Sequence, residues 1–356
     1  MAARTRRRLL LACLSGLVLV AACCGGSSAG RGSAGWSTPG AVAGGFVVSR
    51  LSCAAGGYCV GVGVSASGVV GTVVWDGKSW SRPVGGPSGG PAGLRLLSCG
   101  SPGFCVVSDG STSQVWNGRS WGPSVTVTGN GDRGAAPGAQ LAGLACSAGD
   151  FCMAVDDQRS TLLFQHGRWV AAGRLGPLPA GAATAGGSVD AGGVSCGSAS
   201  SCMVVDSEGF AYHWNGKSWQ APLDVLPPGN AFVSCPTAAW CMAIDAHSYE
   251  DVWDSKGWGS SLSFVDPQSM RLSQRPGEAG PVPWGQGDFG VLALSCGSAS
   301  LCAAIDDAGY TVTYRDGRWT PPVDVAPALD NTDTVTCTGT LACLAVADGK
   351  VAAYYS

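Results

Sequence analysis

The chain has 356 residues, with 21 Lys and Arg against 24 Asp and Glu, and a formal net charge of −3. Charged residues make up only 13% and Gly numbers 56, where an average soluble domain is about 25% charged and about 7% Gly. That composition excludes a disordered polyelectrolyte, a mostly helical protein (Gly is costly in helix interiors) and a basic nucleic-acid-binding surface.

The first predicted element is an address. Met1–Arg8 carries Arg4, Arg6, Arg7 and Arg8, and an apolar run follows from Leu9 to Ala22. A basic segment before an apolar stretch too short for a comfortable membrane span reads as an export signal over residues 1–22. The run ends Val20-Ala21-Ala22-Cys23, which resembles the bacterial lipobox, with Val where Leu is commoner. The resemblance implies lipidation of Cys23 and anchoring to the outer leaflet of the cell membrane. An ordinary secretory peptide is the plainer alternative. Thr5-Arg6-Arg7-Arg8-Leu9-Leu10 also loosely resembles a twin-arginine signal. Removing residues 1–22 takes four Arg and no acid, leaving 17 basic and 24 acidic side chains, a balance of −7. Nucleic acid and anionic lipid headgroups are therefore not expected as direct partners. Residues 23–35 are rich in Gly, Ser and Ala and read as a flexible tether.

From Trp36 onward the chain is a repeat, and its Cys expose it. Cys13 lies in the signal, and Cys23 and Cys24 sit at the anchor. The remaining 14 fall into seven pairs with five residues between partners: Cys53/Cys59, Cys99/Cys105, Cys146/Cys152, Cys196/Cys202, Cys235/Cys241, Cys296/Cys302 and Cys337/Cys343. In an exported, oxidised chain this predicts one disulfide per pair, with a structural role. Zinc is a poor reading: the spacing is wrong, only three His are present, and thiolates do not persist outside the cell.

Each unit reads as four strands. The first ends at a Ser-Cys or similar pair, as in Leu51-Ser52-Cys53 and Val194-Ser195-Cys196. The second starts at the partner Cys and runs through apolar residues, often to an acid: Asp109, Asp156, Asp206, Asp245 and Asp306. A Gly-containing turn leads to the third, which ends in an aromatic residue such as Trp75, Trp116 or Trp214. An Asn-Gly or Asp-Gly signal then predicts a two-residue hairpin turn, because both central residues need positive φ. The fourth starts at a Trp: Trp80, Trp121, Trp169, Trp219, Trp258 and Trp319. The seventh unit stops after its third strand, near Tyr354, and Trp36 supplies the missing piece. The prediction is an all-β chain, one domain over residues 36–356: a seven-bladed β-propeller of four-stranded antiparallel blades, closed by the N-terminal strand completing the last blade.

This topology puts the disulfides and the Asn-Gly turns on one face. The Asp-containing turns and the insertions near residues 82–92, 123–138, 171–188 and 259–288 share the other. Variable loops on a rigid scaffold are where function concentrates, so that second face is the candidate binding surface. The recurring Asp reads as a turn cap, with a metal-binding ring of acids as the sharper alternative; Gly63 and Ala347 break such a ring. The recurring Trp reads as packing between blades, with a sugar-stacking platform as the alternative. Departures from the repeat gather in and after blade five: Asp245, His247, Glu250 and Asp251, then Arg271, Arg275, Glu278 and Trp284 in the longest insertion. These form the candidate binding site, against the plainer reading of a solvated loop.

Enzyme signals are thin. No Gly-x-Ser-x-Gly elbow appears, and the Gly-rich stretches lack a strand–helix context for nucleotides. No cofactor or metal site is expected. Asp316-Gly317-Arg318-Trp319 faintly resembles the Asp-box of sialidase-like propellers, but one residue is missing between Asp and Gly. Paired carboxylates for glycoside hydrolysis depend on separation in space. The body as a whole resembles secreted actinobacterial repeat proteins with Ser-Cys-x5-Cys-x-x-x-Asp units, carried here by Ser195-Cys196 to Asp206 and by Trp214-Asn215-Gly216-Lys217-Ser218-Trp219. That resemblance implies a propeller at the cell surface and supplies no ligand. Three functions stay open: a non-catalytic, monomeric lipoprotein presenting a face to a protein partner, a propeller binding a cell-surface glycan, and a glycoside-active enzyme.

Overall fold

Seven small antiparallel sheets make up the computed structural model, which describes residues 35–355 apart from 39, 55, 91–92, 128–137, 180–187, 191, 260–261, 264–289, 307–308, 326–333, 340–341 and 348. Blade one shows the pattern: Val47–Ala54, Tyr58–Val64, Val70–Trp75 and Val84–Gly85, each bonded to the next. Blades two to six open at Leu96, Leu141, Val194, Ala231 and Val291. Blade seven combines Thr334–Thr338, Ala342–Ala347 and Lys350–Tyr355 with Gly35–Trp36 as its outermost strand. Trp36 stands opposite Tyr354, so the two ends of the chain interlock as the repeat predicts.

All seven disulfides form within their blades, with Cα–Cα distances of 3.9–4.1 Å: Cys53–Cys59, Cys99–Cys105, Cys146–Cys152, Cys196–Cys202, Cys235–Cys241, Cys296–Cys302 and Cys337–Cys343. Each links strands one and two, usually at directly opposed residues, as the Cys53↔Cys59 register illustrates. The second Cys of every pair is buried, none more than 1% exposed: Cys59, Cys105, Cys152, Cys202, Cys241, Cys302 and Cys343. Each packs with apolar side chains of its own blade and the preceding one, Cys105 with Val62 and Trp116, Cys152 with Leu96 and Leu162, Cys241 with Val205 and Val233, and Cys302 with Ile244 and Val312. The second Cys opens strand two, whose alternate side chains face the preceding and the following blade: Cys202 and Val204 one way, Met203 and Val205 the other. The second sulfur of each bridge belongs to the core, while the first Cys lines the channel.

The first strands line the central channel. The second strands are nearly continuous apolar runs, such as Cys202-Met203-Val204-Val205, with every side chain buried. A strand buried on both faces needs such a run. The core is accordingly divided into slabs between blades. One slab joins Phe151, Met153 and Val155 of blade three to Val204, Tyr212 and Trp214 of blade four. The slab between blades seven and one joins Leu344, Val346 and Val351 to Phe46 and Val48, sealing the ring.

The outer strand differs from its prediction. In blades one, two, four and five the Trp makes only an isolated bridge, for example Trp75↔Trp80, and regular pairing resumes later, at Val84–Gly85, Val125–Thr126, Leu223–Asp224 and Leu262–Ser263. Part of what reads as insertion is therefore strand four. Pro83 and Pro222 stand just before the resumed strand and cannot donate to the ladder. A short edge interrupted by Pro also discourages pairing with other chains.

The hairpin turns also need correction. In blades one, two and four the Asn or Asp of the Asn-Gly signal is not in the left-handed region; only Gly77, Gly118 and Gly216 are. The acidic or amide side chain organises a longer loop instead. Asp76 Oδ1 accepts from the N–H groups of Lys78 and Ser79 at 2.9 and 2.8 Å, and Asn215 Oδ1 repeats this with Lys217 and Ser218. Two-residue turns with both residues at positive φ occur in blade three, at His166 and Gly167, and in blade six, at Asp316 and Gly317.

Candidate functional site

The two faces are assigned by contacts between turns. Gly57 lies against Gly77, Gly103 against Gly118 and Gly216 against Ser200, so the disulfide hairpins and the Asn-Gly loops share one face. On the opposite face the Asp-containing turns bond the segments between blades: Val225 N–H donates to the Gly209 carbonyl and Leu175 N–H to the Arg159 carbonyl, each at 3.0 Å. We call these the disulfide face and the link face.

The recurring Asp is a turn cap. Asp206 Oδ1 accepts from Glu208 N–H at 3.1 Å and Phe210 N–H at 3.0 Å, and Asp156 and Asp245 hold their turns the same way. In blade one Ser65 takes over, accepting from Val69 N–H. Gly209 closes its turn at φ +83°, where a Cβ would strike the Leu226 carbonyl. Blade three breaks this rule with Arg159, at φ +64°. Its side chain crosses to blade four, where it donates to Asp206 Oδ2 at 3.0 Å and reaches the Tyr212 hydroxyl. Burial and the Asp206 charge push the Tyr212 hydroxyl up to about 12. The sequence signal for this pair was an Arg standing where a turn needs Gly.

Of the residues singled out in blade five, Asp245 is fully buried, with His247 Nδ1 3.8 Å from its Oδ2. Burial raises its carboxyl above the usual range, against the lowering bonds from Tyr249 and His247. Glu250 accepts from the indole N–H of Trp319 in blade six at 2.8 Å, and burial likewise raises its carboxyl. His247 itself is exposed. Arg271, Arg275, Glu278 and Trp284 lie outside the described residues.

The strand-four Trp are half-buried and committed to packing. Each of five rests on the aromatic residue that ends strand three of its own blade, with ring centroids 5.3–5.7 Å apart. Their indole N–H groups reach back to the preceding blade: Trp121 to Thr72, Trp169 to Ser113 and Trp219 to Thr161. Glu250 occupies the corresponding position in blade five.

The channel explains the Ser of the Ser-Cys motif, which sequence reasoning left without a role. Ser52 Oγ accepts from Cys99 N–H, Ser98 from Cys146, Ser195 from Cys235, Ser234 from Cys296, and Ser295 from Cys337. Thr336 completes the circle by accepting from Cys53 N–H at 3.1 Å. Ala145 is the exception, having no hydroxyl to offer Cys196. After the first Cys, Gly100, Gly197 and Gly297 let the next blade approach closely, since a Cβ there would lie 2.1–2.2 Å from its carbonyl oxygen. These strands enclose a cavity of about 410 Å³ at the disulfide end. A second, of about 270 Å³, opens at the link face between Leu51, Leu97, Leu144, Leu294, Arg50 and Arg95. Among the described residues no group of three or more His, Cys, Asp or Glu is placed to hold a metal ion.

No family model matches this chain, and no curated protein matches it in sequence. Solved propellers match it in shape. A structure of YCF48 bound to D1 peptide is 14% identical with a TM-score of 0.57, covering 90% of this chain and 95% of its own. The WD40 β-propeller domain of Doa1 is 10% identical with a TM-score of 0.60, covering 90% and 97%. A streptogramin B lyase is 9% identical with a TM-score of 0.58, covering 87% and 93%. At such identities the likeness establishes the propeller fold.

Proposed function

We propose that this chain is a non-catalytic, extracytoplasmic lipoprotein, monomeric and tethered through Cys23, whose propeller presents its link face to a protein partner. The observation that carries the reading is where the chain joins the ring. Gly35 pairs with Tyr355 and Trp36 with Tyr354, level with the Cys337–Cys343 bridge, so residues before Gly35 join at the disulfide face. Cys23 precedes Gly35 by 12 residues, at most about 40 Å of extended chain. A lipid there would hold the ring within about that reach of a bilayer, with the tether joining at the disulfide face and the segments between blades lying at the opposite face. Seven disulfides suit an oxidising compartment. The recurring Asp and Trp residues are occupied with capping and packing, which leaves the link-face surface as the variable part. The YCF48 structure gives a propeller of similar shape with a peptide bound.

Mild cross-linking of the tethered protein in its membrane, followed by purification, tests the reading. The expected result is one protein partner captured through the link face, with release of the protein from the membrane when Cys23→Ala removes the anchor. Retention on a glycan array with no protein captured would instead support a lectin.

A further inference from the structure

The link-face end of the channel changes character on one side. Leu51, Leu97, Leu144, Leu294 and Val335 each stand two residues before the first Cys of their blade and line the well. Leu292 stands nearer the rim and is 41% exposed. In blades one and two the strand-one positions nearer the rim are Arg50 and Arg95, which line the same well of about 270 Å³. In blades three to six the residues three and four before the first Cys are all uncharged: Ala142 and Gly143, Gly192 and Gly193, Ala231 and Phe232, and Leu292 and Ala293. Asp333, the acid at a matching position in blade seven, lies outside the described residues. Arg50 is held in place by neutral acceptors: its Nε donates to the Arg95 carbonyl at 3.3 Å, and a terminal N–H to the Ser49 carbonyl at 2.7 Å. Carbonyls orient a guanidinium without cancelling its charge. Among the described residues no acid lines the well, and none of the ion pairs involves Arg50 or Arg95.

We propose that this well docks an extended peptide segment, an aliphatic side chain entering between the leucines while a neighbouring Asp or Glu lies on Arg50 and Arg95. The proposal rests on the link face being the binding face and names the chemistry of its partner. The leucines stand two residues before the first Cys and Arg50 and Arg95 three and four before it, nearer the link face, with the Arg95 side chain reaching over the Gly110 turn of its own blade. A single apolar anchor in a pocket supplies most of the affinity of a small interface, and guanidinium–carboxylate pairing fixes its register. Positive charge at the axis of an otherwise acidic body also selects against basic segments.

The test is fluorescence anisotropy on the mature protein with a labelled probe, Gly-Ser-Gly-Leu-Glu-Gly-Ser-Gly, acetylated and amidated so that its only carboxylate is the Glu. Saturable binding is expected, weakened about tenfold or more by Glu→Gln or Leu→Ser in the probe and by Arg50→Gln or Arg95→Gln in the protein. Thermal melts confirm that both variants, changed at the rim, remain folded. Equal binding of the Glu and Gln probes, no binding, or a preference for a free C-terminal carboxylate over the internal Glu would overturn the proposal. Repeating the membrane cross-linking with the Arg50→Gln/Arg95→Gln protein separates the two ideas. Undiminished capture of the partner sinks the clamp and leaves the link-face reading intact; no capture by either protein sinks that reading itself.

Discussion

Arg159 shows how a single departure from a repeat is compensated. A left-handed backbone is unfavourable for a non-Gly residue, yet the guanidinium gains a buried carboxylate on the next blade, with Asp206 fully buried. Removing one partner of such a pair costs far more than the pair contributes, because the remaining charge stays buried. Arg159→Gly relieves the backbone and is expected to lose about 3 kcal/mol in urea unfolding. Adding Asp206→Asn, which keeps the Oδ1 cap, should restore most of that loss; no recovery would mean that the charge is not the cause. The other buried acids set the pH response. Burial raises the carboxyls of Asp156, Asp190, Asp245, Glu250 and Asp251. A raised carboxyl holds its proton in the folded state where the unfolded chain has released it. Its contribution is full below the ordinary carboxylate range, near pH 4, and is lost as pH rises through the folded value. Melting temperature should therefore fall as pH rises from the ordinary carboxylate range through the folded values of these groups, and Glu250→Gln, which keeps the acceptor for Trp319, should reduce that fall.

At the scale of the element, the unit that matters is the first strand together with its neighbour around the axis. The Ser-Cys motif is an instruction about the next blade: hydroxyl to Cys N–H, repeated from Ser52 to Thr336. The interruption at Ala145, itself nearly buried, makes the motif testable in both directions. Ser195→Ala is expected to cost about 1 kcal/mol, the usual net value of one such bond. Ala145→Ser should gain a similar amount by supplying the absent hydroxyl between blades three and four. Chemical denaturation of both variants checks this, and a destabilised Ala145→Ser protein would show that blade three has no room for the hydroxyl. The disulfide acts on the same hairpin. Closing a loop this short restrains the unfolded chain by about 2 kcal/mol in the loop-entropy model, so Cys53→Ala/Cys59→Ala should lower stability by about that much.

For the whole molecule, stability depends on closing the ring. Each slab of core lies between two blades, so an open ring leaves one slab uncovered. Trp36 is the fastener: it packs into the slab between blades six and seven, and its indole N–H donates to Thr313 at 3.1 Å across 277 residues of chain. Trp36→Ala is expected to cost about 3 kcal/mol and to expose the last blade first. Hydrogen exchange should show Lys350–Tyr355 losing protection ahead of blades two to five. Uniform loss of protection would mean that the ring opens elsewhere.

Blade count, disulfide partners, strand order and the closure by Trp36 were all legible in the sequence, because each is written in local spacing that recurs along the chain. Cys pairs six apart and an aromatic residue five before the strand-four Trp of blades one to six need no knowledge of distant neighbours. The same local spacing misjudged the Asn-Gly loops and the start of strand four, where side-chain bonds from Asp76 and Asn215 and the prolines before Val84 and Leu223 override the simplest turn and strand rules. It also gave no sign that Cys105, Cys152, Cys241 and Cys302 lie within the slabs, since their cover comes from the neighbouring blades. What passes between blades was not legible: Ser195 to Cys235, Trp219 to Thr161, Arg159 to Asp206 and Glu250 to Trp319. Those contacts join residues 40–69 positions apart, and their choice is fixed by the angle at which one blade meets the next around the axis. Only the closed ring decides that angle, and only the ring brings Arg50 and Arg95 to the mouth of a leucine-lined well.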